Sequence, residues 1–194
     1  MNDSQVPVFI EGEIIDLVPL NSKNVNLYVK WENDPKVRIY SRNIIPVTIE
    51  IMKKMFEPSE NKYKREITFE IWHKKDKKTI GFGEIADIDW YAQTAFLGLI
   101  IGEPDYWGQN IGEEATKLII EYGFYELNLF KFKAGINSAN IGSWRCAEKN
   151  GFTRVATFKK GCYVDGKYYD EYRYSLFKED WIDFKNKEEN KEKK

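Results

Sequence analysis

Two features of this chain could do chemistry: a carboxylate set among apolar residues, and a glycine-bearing turn at the start of a helix. In TIGFGEIADIDW the alternation of a strand puts Glu84 on one face with Ile80, Phe82, Ala86 and Ile88. Apolar surroundings disfavour the charged form, so such a carboxylate has a raised pKa and exchanges protons near neutral pH. Glu84 is therefore the candidate general base, with Asp87 and Asp89 as alternatives. The plainer reading is that Glu84 pairs with a basic side chain or points into water at a strand irregularity. The turn lies in FLGLIIGEPDYWGQNIGEEATKLI, where a strand gives way to Gly108, Gln109 and Asn110 and then to a helix opening with Ile111, Gly112 and Glu113. Backbone N–H groups at a helix N-terminus, with the helix dipole behind them, favour an anion, and a pyrophosphate fits. The plainer alternative is an ordinary strand-to-helix connection with glycine for packing.

Other chemistries lack their residues. The turn has neither the P-loop pattern GxxxxGK followed by Ser or Thr nor the dinucleotide GxGxxG. One histidine, His73, and two cysteines, Cys146 and Cys162, without CxxC spacing, do not supply a zinc set, so no metal is expected. No plausible Cys-His or Ser-His pair points to a covalent intermediate. His73 ends a strand beside KKDKK, which reads as a solvated position, and Cys146 reads as core.

The elements that must hold these residues follow from periodicity. VFIEGEIIDLVPL reads as a strand, and NSKNVNLYVKWEND as a helix ending near Asp34-Pro35. A short helix follows over Thr48 to Phe56. EITFEIWH, TIGFGEIADIDW and TAFLGLIIG are three strands in hairpin connectivity. Asn110 to Leu127 is the clearest helix; then come a strand over Lys131 to Ile136, a helix over Asn140 to Asn150 closed by Gly151, and strands over Thr153 to Tyr163 and Lys167 to Phe177. The strand-helix-strand order from Phe96 to Ile136 demands a parallel crossover. The fold class is thus α/β or α+β, a mixed sheet with helices on its faces.

The chain of 194 residues, 42% hydrophobic and 15% aromatic, reads as one globular domain over residues 1–184. KNKEENKEKK, residues 185–194, has no apolar residue and reads as a charged flexible tail. A formal charge of -1 gives no field that favours nucleic acid. The stretch MNDSQVPVFIEGE lacks the basic and apolar regions of a signal peptide, and no run reaches the roughly 18 apolar residues of a membrane span. A cytoplasmic protein without nucleic-acid or membrane partners is expected.

Residues Trp107-Gly108-Gln109-Asn110-Ile111-Gly112 and the block NSANIGSWRCAEKNGF resemble the two motifs of the GCN5-related N-acetyltransferases. The family's pyrophosphate loop reads Gln or Arg, two residues, Gly, one residue, then Gly or Ala; here Trp107 and Asn110 depart from it and Gly112 agrees. Asn is the best non-glycine occupant of left-handed backbone angles, so the loop survives that exchange. Glu113 stands where Thr is common, and its side chain must point away from the phosphates. The second block is similar to the family's Asn-led strand-to-helix segment ending in Lys, one residue and Gly-Phe. The similarity covers about residues 8 to 180, and YVDGKYYDEYRYSL is similar to the closing hairpin of the ribosomal-protein and polyamine acetylating branch.

The resemblance implies a mostly antiparallel sheet with one splayed parallel strand pair. It also implies acetyl-CoA as cosubstrate and an amine acceptor attacking directly, with a protein N-terminus, a polyamine and other small amines all open. Leu99, Ile100 and Ile101 would pair through their backbones with the pantetheine arm, and Gly98 and Gly102 bracket them as a bulge would require. Asn137 and Asn140 would hydrogen-bond the pantetheine or thioester region, although Asn140 reads equally well as a helix N-cap. The tyrosine that protonates the thiolate in many relatives is replaced by Ala147, and Ser143 stands where some members place a serine that contacts the sulfur. A non-catalytic acyl-CoA-binding module and an enzyme using a longer acyl-CoA remain the alternatives, and a homodimer is left open.

Overall fold

A computed structural model describes residues 6–41, 43–57 and 64–192. In chain order the elements are β1 (Ile10–Glu11), β2 (Ile15–Pro19), α1 (Val25–Asn33), α2 (Pro35–Ser41), α3 (Ile49–Lys53), β3 (Ile67–His73), β4 (Lys78–Asp89), β5 (Thr94–Ile101), α4 (Ile111–Tyr125), β6 (Lys131–Asn137), α5 (Ile141–Lys149), β7 (Thr153–Val164), β8 (Lys167–Phe177) and α6 (Lys178–Glu192). One sheet contains all eight strands in the order β1-β2-β3-β4-β5-β6-β8-β7. Its pairs are antiparallel except β5 with β6, which is parallel. No helix among the described residues is long and apolar enough to cross a membrane.

The sheet is covered on both faces. On one, Ile111, Ala115, Ile119 and Phe124 of α4, Ala147 of α5 and Trp181 of α6 pack against Ile71, Ile85, Phe132 and Tyr174. On the other, Val25, Tyr28 and Trp31 of α1, Val37 of α2 and Met52 of α3 pack around Phe82, with Ile100 against them. A buried carboxylate pins α1 to the sheet: Glu70 on β3 accepts from Tyr28 Oη, from Asn24 Nδ2 at 2.9 and 3.0 Å, from Thr79 Oγ1 at 2.6 Å and from the Asn21 N–H at 3.0 Å. Burial, followed by the hydrogen bond to Glu70 and then its charge, raises the Tyr28 pKa, so the phenol stays a donor.

Two irregularities in β4 change which residues share a face. Register shifts fall between Ile71 and Trp72 on β3, opposite Gly81 and Thr79, and between Ala86 and Asp89 on β4, where Asp87 has φ 48°. Each extra residue reverses the alternation. Ile80 and Ile88 therefore point into the core beneath α4, and Glu84 does not share their face as strict alternation predicts. Phe82, two residues away in an unbroken stretch, does lie on the Glu84 face.

Other expectations also change. The N-terminal strand is two short strands, β1 and β2, paired as a hairpin. The first helix does end at Asp34, but Pro35 starts another, because proline is pre-organised for a first helical position. The segment from Lys185 to Glu192 continues α6, and Lys185 Nζ bonds Glu121 at 2.8 Å. That helix is anchored earlier by Trp181, 2% exposed and 5.5 Å from the Phe124 ring, a single residue that periodicity could not weigh. Lys193, Lys194 and the first five residues of the expected domain lie outside the described residues.

Gly102, just past β5, lies directly under α1: a Cβ there would stand 2.1 Å from the indole of fully buried Trp31. Since that ring cannot retreat without moving α1, Gly102→Ala is expected to destabilise the protein by about 1–3 kcal/mol. Urea denaturation measures this, and an unchanged midpoint contradicts it.

Candidate active site

The parallel ladder between β5 and β6 has only three register pairs, Thr94↔Lys131, Ala95↔Phe132 and Phe96↔Lys133. Beyond them β5 stays with β4 as far as Gly81↔Ile101, and β6 stays with β8 as far as Asn137↔Glu171. The two strands therefore diverge, and alternate backbone groups along 97–101 and 134–137 have no strand partner across the gap. An extended ligand arm can take that position as an added strand. Leu99 and Ile101 turn their side chains toward the α4 core and Ile100 toward α1, which leaves the main chain as the ligand-facing surface.

At the mouth of this gap stands the N-terminus of α4. Gly108 (φ 74°) and Asn110 (φ 62°, ψ 2°) both adopt left-handed angles, so asparagine here does the conformational work usually left to glycine. The first helical bond runs from Glu114 N–H to Asn110 C=O at 3.0 Å, so the N–H groups of Ile111, Gly112 and Glu113 precede the helical ladder. A Cβ on Gly112 would lie 3.4 Å from Leu99 and 3.9 Å from Cys146 Sγ, which locates the helix start against β5 and α5. Glu113 does turn away: its carboxylate bonds Lys149 Nζ at 2.7 Å. Trp107 donates from Nε1 to Ile101 C=O at 2.8 Å, and Gln109 donates from Nε2 to Asp105 C=O at 2.6 Å. These two side chains shape the loop through its own backbone. Burial raises the Cys146 thiol pKa, and Thr116 Oγ1 lies 3.5 Å from its sulfur, so it is an inert neighbour of the loop.

The second motif stands at the same open end of the gap, following the C-terminal end of β6. Asn140 caps α5, its Oδ1 accepting from Ser143 N–H at 3.2 Å, and Ser143 sits in the helix's first turn. Asn137 is 3% exposed; its Oδ1 accepts from Ala139 N–H at 2.9 Å, while Nδ2 has no partner among the described residues. A buried donor without an acceptor costs about 1–3 kcal/mol and marks a position where a ligand oxygen is gained at little further cost. Ala147 is buried, so no proton donor stands one turn after Ser143.

Glu84 lies on the α1 face of the sheet at the other wall. It is the register partner of Gly98, and a Cβ on Gly98 would come 2.6 Å from Glu84 Oε1, so the carboxylate lies across the glycine beside the gap. Burial first, then the charges of Glu66, Glu32 and Asp87, raise its pKa. No basic side chain pairs with it among the described residues. Glu32 is raised as well, again by burial, against a hydrogen bond from Asn43. The alternative bases are less suitable: Asp87 is exposed, and Asp89 Oδ1 is occupied by the N–H groups of Tyr91 and Ala92.

Sequence reasoning missed several contacts around this site. His73 is not solvated but buried, with Nδ1 3.0 Å from Asp76 and its ring edge-on to Tyr106 just before the loop. Glu103 accepts from Lys30 Nζ at 2.8 Å and Trp31 Nε1 at 2.9 Å; although burial acts to raise its pKa, these donors hold it low. Across the gap from Glu84, Glu171 and Arg173 share one face of β8, a pairing that strand alternation in EYRYS could have revealed.

A strand pair that splays beside a helix N-terminus is a property of a fold rather than of one sequence. The model of the "Acetyltransferase (GNAT) domain" matches residues 15–153. The chain belongs to this family. GNAT relatives include the uncharacterized N-acetyltransferase YnaD of Bacillus subtilis, 37% identical over 78 residues, 40% of this chain and 46% of that protein. The probable N-acetyltransferase YjcK of the same organism is 34% identical over 106 residues, 54% of this chain and 58% of that protein. The chain thus spans about half the length of these curated relatives. Among solved GNAT structures, the spermidine N-acetyltransferase of Vibrio cholerae in complex with CoA and spermine superposes with a TM-score of 0.80, covering 88% of this chain and 99% of that one at 18% identity, which shows the shared fold. The fold is accordingly that of the GNAT family, with the mixed, mostly antiparallel sheet that the resemblance implies.

The raised pKa of Glu84 has a thermodynamic consequence. A carboxylate whose pKa is higher in the folded than in the unfolded state gives its full stability below the unfolded pKa and loses it as pH rises through the folded value. Relative to Glu84→Gln, the wild type should therefore lose stability between acid pH, below about 4, and neutrality. Urea midpoints of the two proteins at both pH values measure this; a constant difference contradicts it.

Proposed function

We propose that this protein transfers an acetyl group from acetyl-CoA to a primary amine by direct attack of the amine on the thioester. The observation that carries this reading is the splay of β5 from β6 between a helix N-terminus and the unpartnered Asn137 Nδ2. The N–H groups of Ile111, Gly112 and Glu113, in a loop shaped by Trp107, Gln109 and Asn110, bind the pyrophosphate. The backbone of Leu99, Ile100 and Ile101 pairs with the pantetheine arm. Asn137 Nδ2 donates to an oxygen of the pantetheine or thioester, with Asn140 holding the turn beside it. The CoA bound to the Vibrio cholerae neighbour of the same fold supports this assignment.

Acetyl-CoA supplies an activated acyl group, and the protein supplies proton transfer and position. As the amine nitrogen bonds to the acetyl carbon and the C–S bond breaks, Glu84 takes the ammonium proton, directly or through water. Asn137 stabilises developing negative charge on oxygen. Ser143 hydrogen-bonds the departing thiolate, which takes its proton from water, since Ala147 offers none, and Glu84 returns the amine's proton to solvent. No covalent enzyme intermediate and no metal enter this scheme. The acceptor is a protein N-terminus, a polyamine or another small amine, and the cytosol is the compartment that fits this cosubstrate.

Calorimetry should show acetyl-CoA binding in the micromolar range, about -8 kcal/mol, without added metal. Gly112→Asp should abolish that binding by putting a negative charge at the phosphate approach, and Asn110→Gly should retain it. No binding up to millimolar concentration overturns the reading. Glu84→Gln should lower turnover about 10²- to 10⁴-fold with acetyl-CoA affinity unchanged, and Ser143→Ala should likewise act on turnover rather than affinity. Binding with no turnover of any amine would favour the non-catalytic module that the missing tyrosine suggests.

A further inference from the structure

On the face of the sheet that carries Glu84, the wall of the gap opposite it is formed by β6 and β8. Alternation along both strands is unambiguous there. Phe132, Ala134 and Ile136 of β6, with Tyr174 and Leu176 of β8, face the α4 core, so Gly135, Asn137, Glu171 and Arg173 face the other way. Glu171 is the register partner of Asn137, and Arg173 that of Gly135. Arg173 Nη2 lies 3.1 Å from Glu171 Oε1. Both side chains lie over Gly135: a Cβ there would come 3.0 Å from Arg173 Nη1 and 3.0 Å from Glu171 Oε1. The guanidinium also rests on the Phe158 ring, 5.4 Å from its centroid.

Arg173 Nε is buried and has no hydrogen-bond partner among the described residues. It is thus a second orphaned donor on this face, two residues from the register position of Asn137. A guanidinium held by a carboxylate on one edge and stacked on a ring presents its remaining donors in a fixed plane, which suits an oxygen acceptor. Glu84, Glu66 and Glu32 crowd the opposite wall with negative charge, which suits the ammonium form of an arriving amine. The two walls are complementary to a molecule that carries both an amine and an oxygen acceptor.

We infer that Arg173, set by Glu171 over Gly135, is an acceptor-recognition residue that binds the carbonyl or carboxylate oxygen next to the reacting amine. The acceptor class is thereby narrowed to amines with an adjacent carbonyl group, such as an amino acid or a peptide N-terminus, and away from simple polyamines. This rests on the acetyltransferase reading given above. Arg173 does not take part in proton transfer; it orients the amine toward the thioester by holding the neighbouring oxygen.

The test uses the full chain, acetyl-CoA and three amines: alaninamide, isopropylamine, which has the same branch without the carboxamide, and spermidine. Wild-type protein should favour alaninamide, and Arg173→Lys, which keeps the charge toward Glu171 but loses Nε and the planar fork, should lower kcat/KM for alaninamide about ten- to hundredfold. The isopropylamine value and acetyl-CoA affinity should stay as they are. The amines' own pKa values cancel when each is compared between two enzymes. Arg173→Gln, which retains a planar donor, should recover part of the preference. An equal loss on all amines, which is what a structural role produces, overturns the inference, as does no change on any, or turnover of spermidine alone. Failure of wild-type protein to bind acetyl-CoA overturns the underlying reading instead.

Discussion

Parallel pairing of β5 with β6 stops after Phe96↔Lys133, and the rest of the molecule is arranged around that interruption. Strands normally lower their free energy by continuing a ladder, so the divergence must be enforced from outside. On the β5 side it is enforced by β4, which holds β5 in register to Ile101, and by α1, whose buried Trp31 covers Gly102 and bonds Glu103. On the β6 side it is enforced by β8, which pairs with every residue from Lys131 to Asn137. Backbone groups left between the strands are the ones a ligand arm can satisfy. The Glu70 network belongs to the same constraint, because it fixes the helix that carries Trp31.

The chemistry is divided between the two walls. A carboxylate beside the gap has its pKa raised by burial and then by the charges of other carboxylates. The opposite wall offers donors without acceptors at Asn137 and Arg173. Helix α4 begins against β5 and α5, where a Cβ on Gly112 would meet Leu99 and Cys146.

The strands from β3 to β8, the helices α4 and α5, and the parallel crossover were legible because each carries a hydrophobic period over most of its length or a strong turn signal. The left-handed Asn110 was legible from residue type alone, and the structure gives it φ 62°. What was not legible depends on irregularity or on single anchors. Strict alternation grouped Glu84 with Ile80 and Ile88, yet an extra residue at each of two bulges sends both isoleucines to the other face. Helix α6 hangs on Trp181 in an otherwise polar segment, and α2 has only Val37 buried. The burial of His73 depends on Tyr106, which is distant in sequence. The raised pKa of Glu84 was anticipated, although half of its predicted neighbours were not its neighbours.

The central claim is that the gap between β5 and β6 receives an extended ligand as a strand. Backbone amide hydrogen exchange, measured with and without saturating CoA, tests it most directly. The account predicts that exchange slows along Leu97–Ile101 and Ala134–Asn137 and at Ile111–Glu113, and stays unchanged at the β1–β2 and β7–β8 turns. Saturable CoA binding that leaves the facing edges of β5 and β6 unprotected would contradict it.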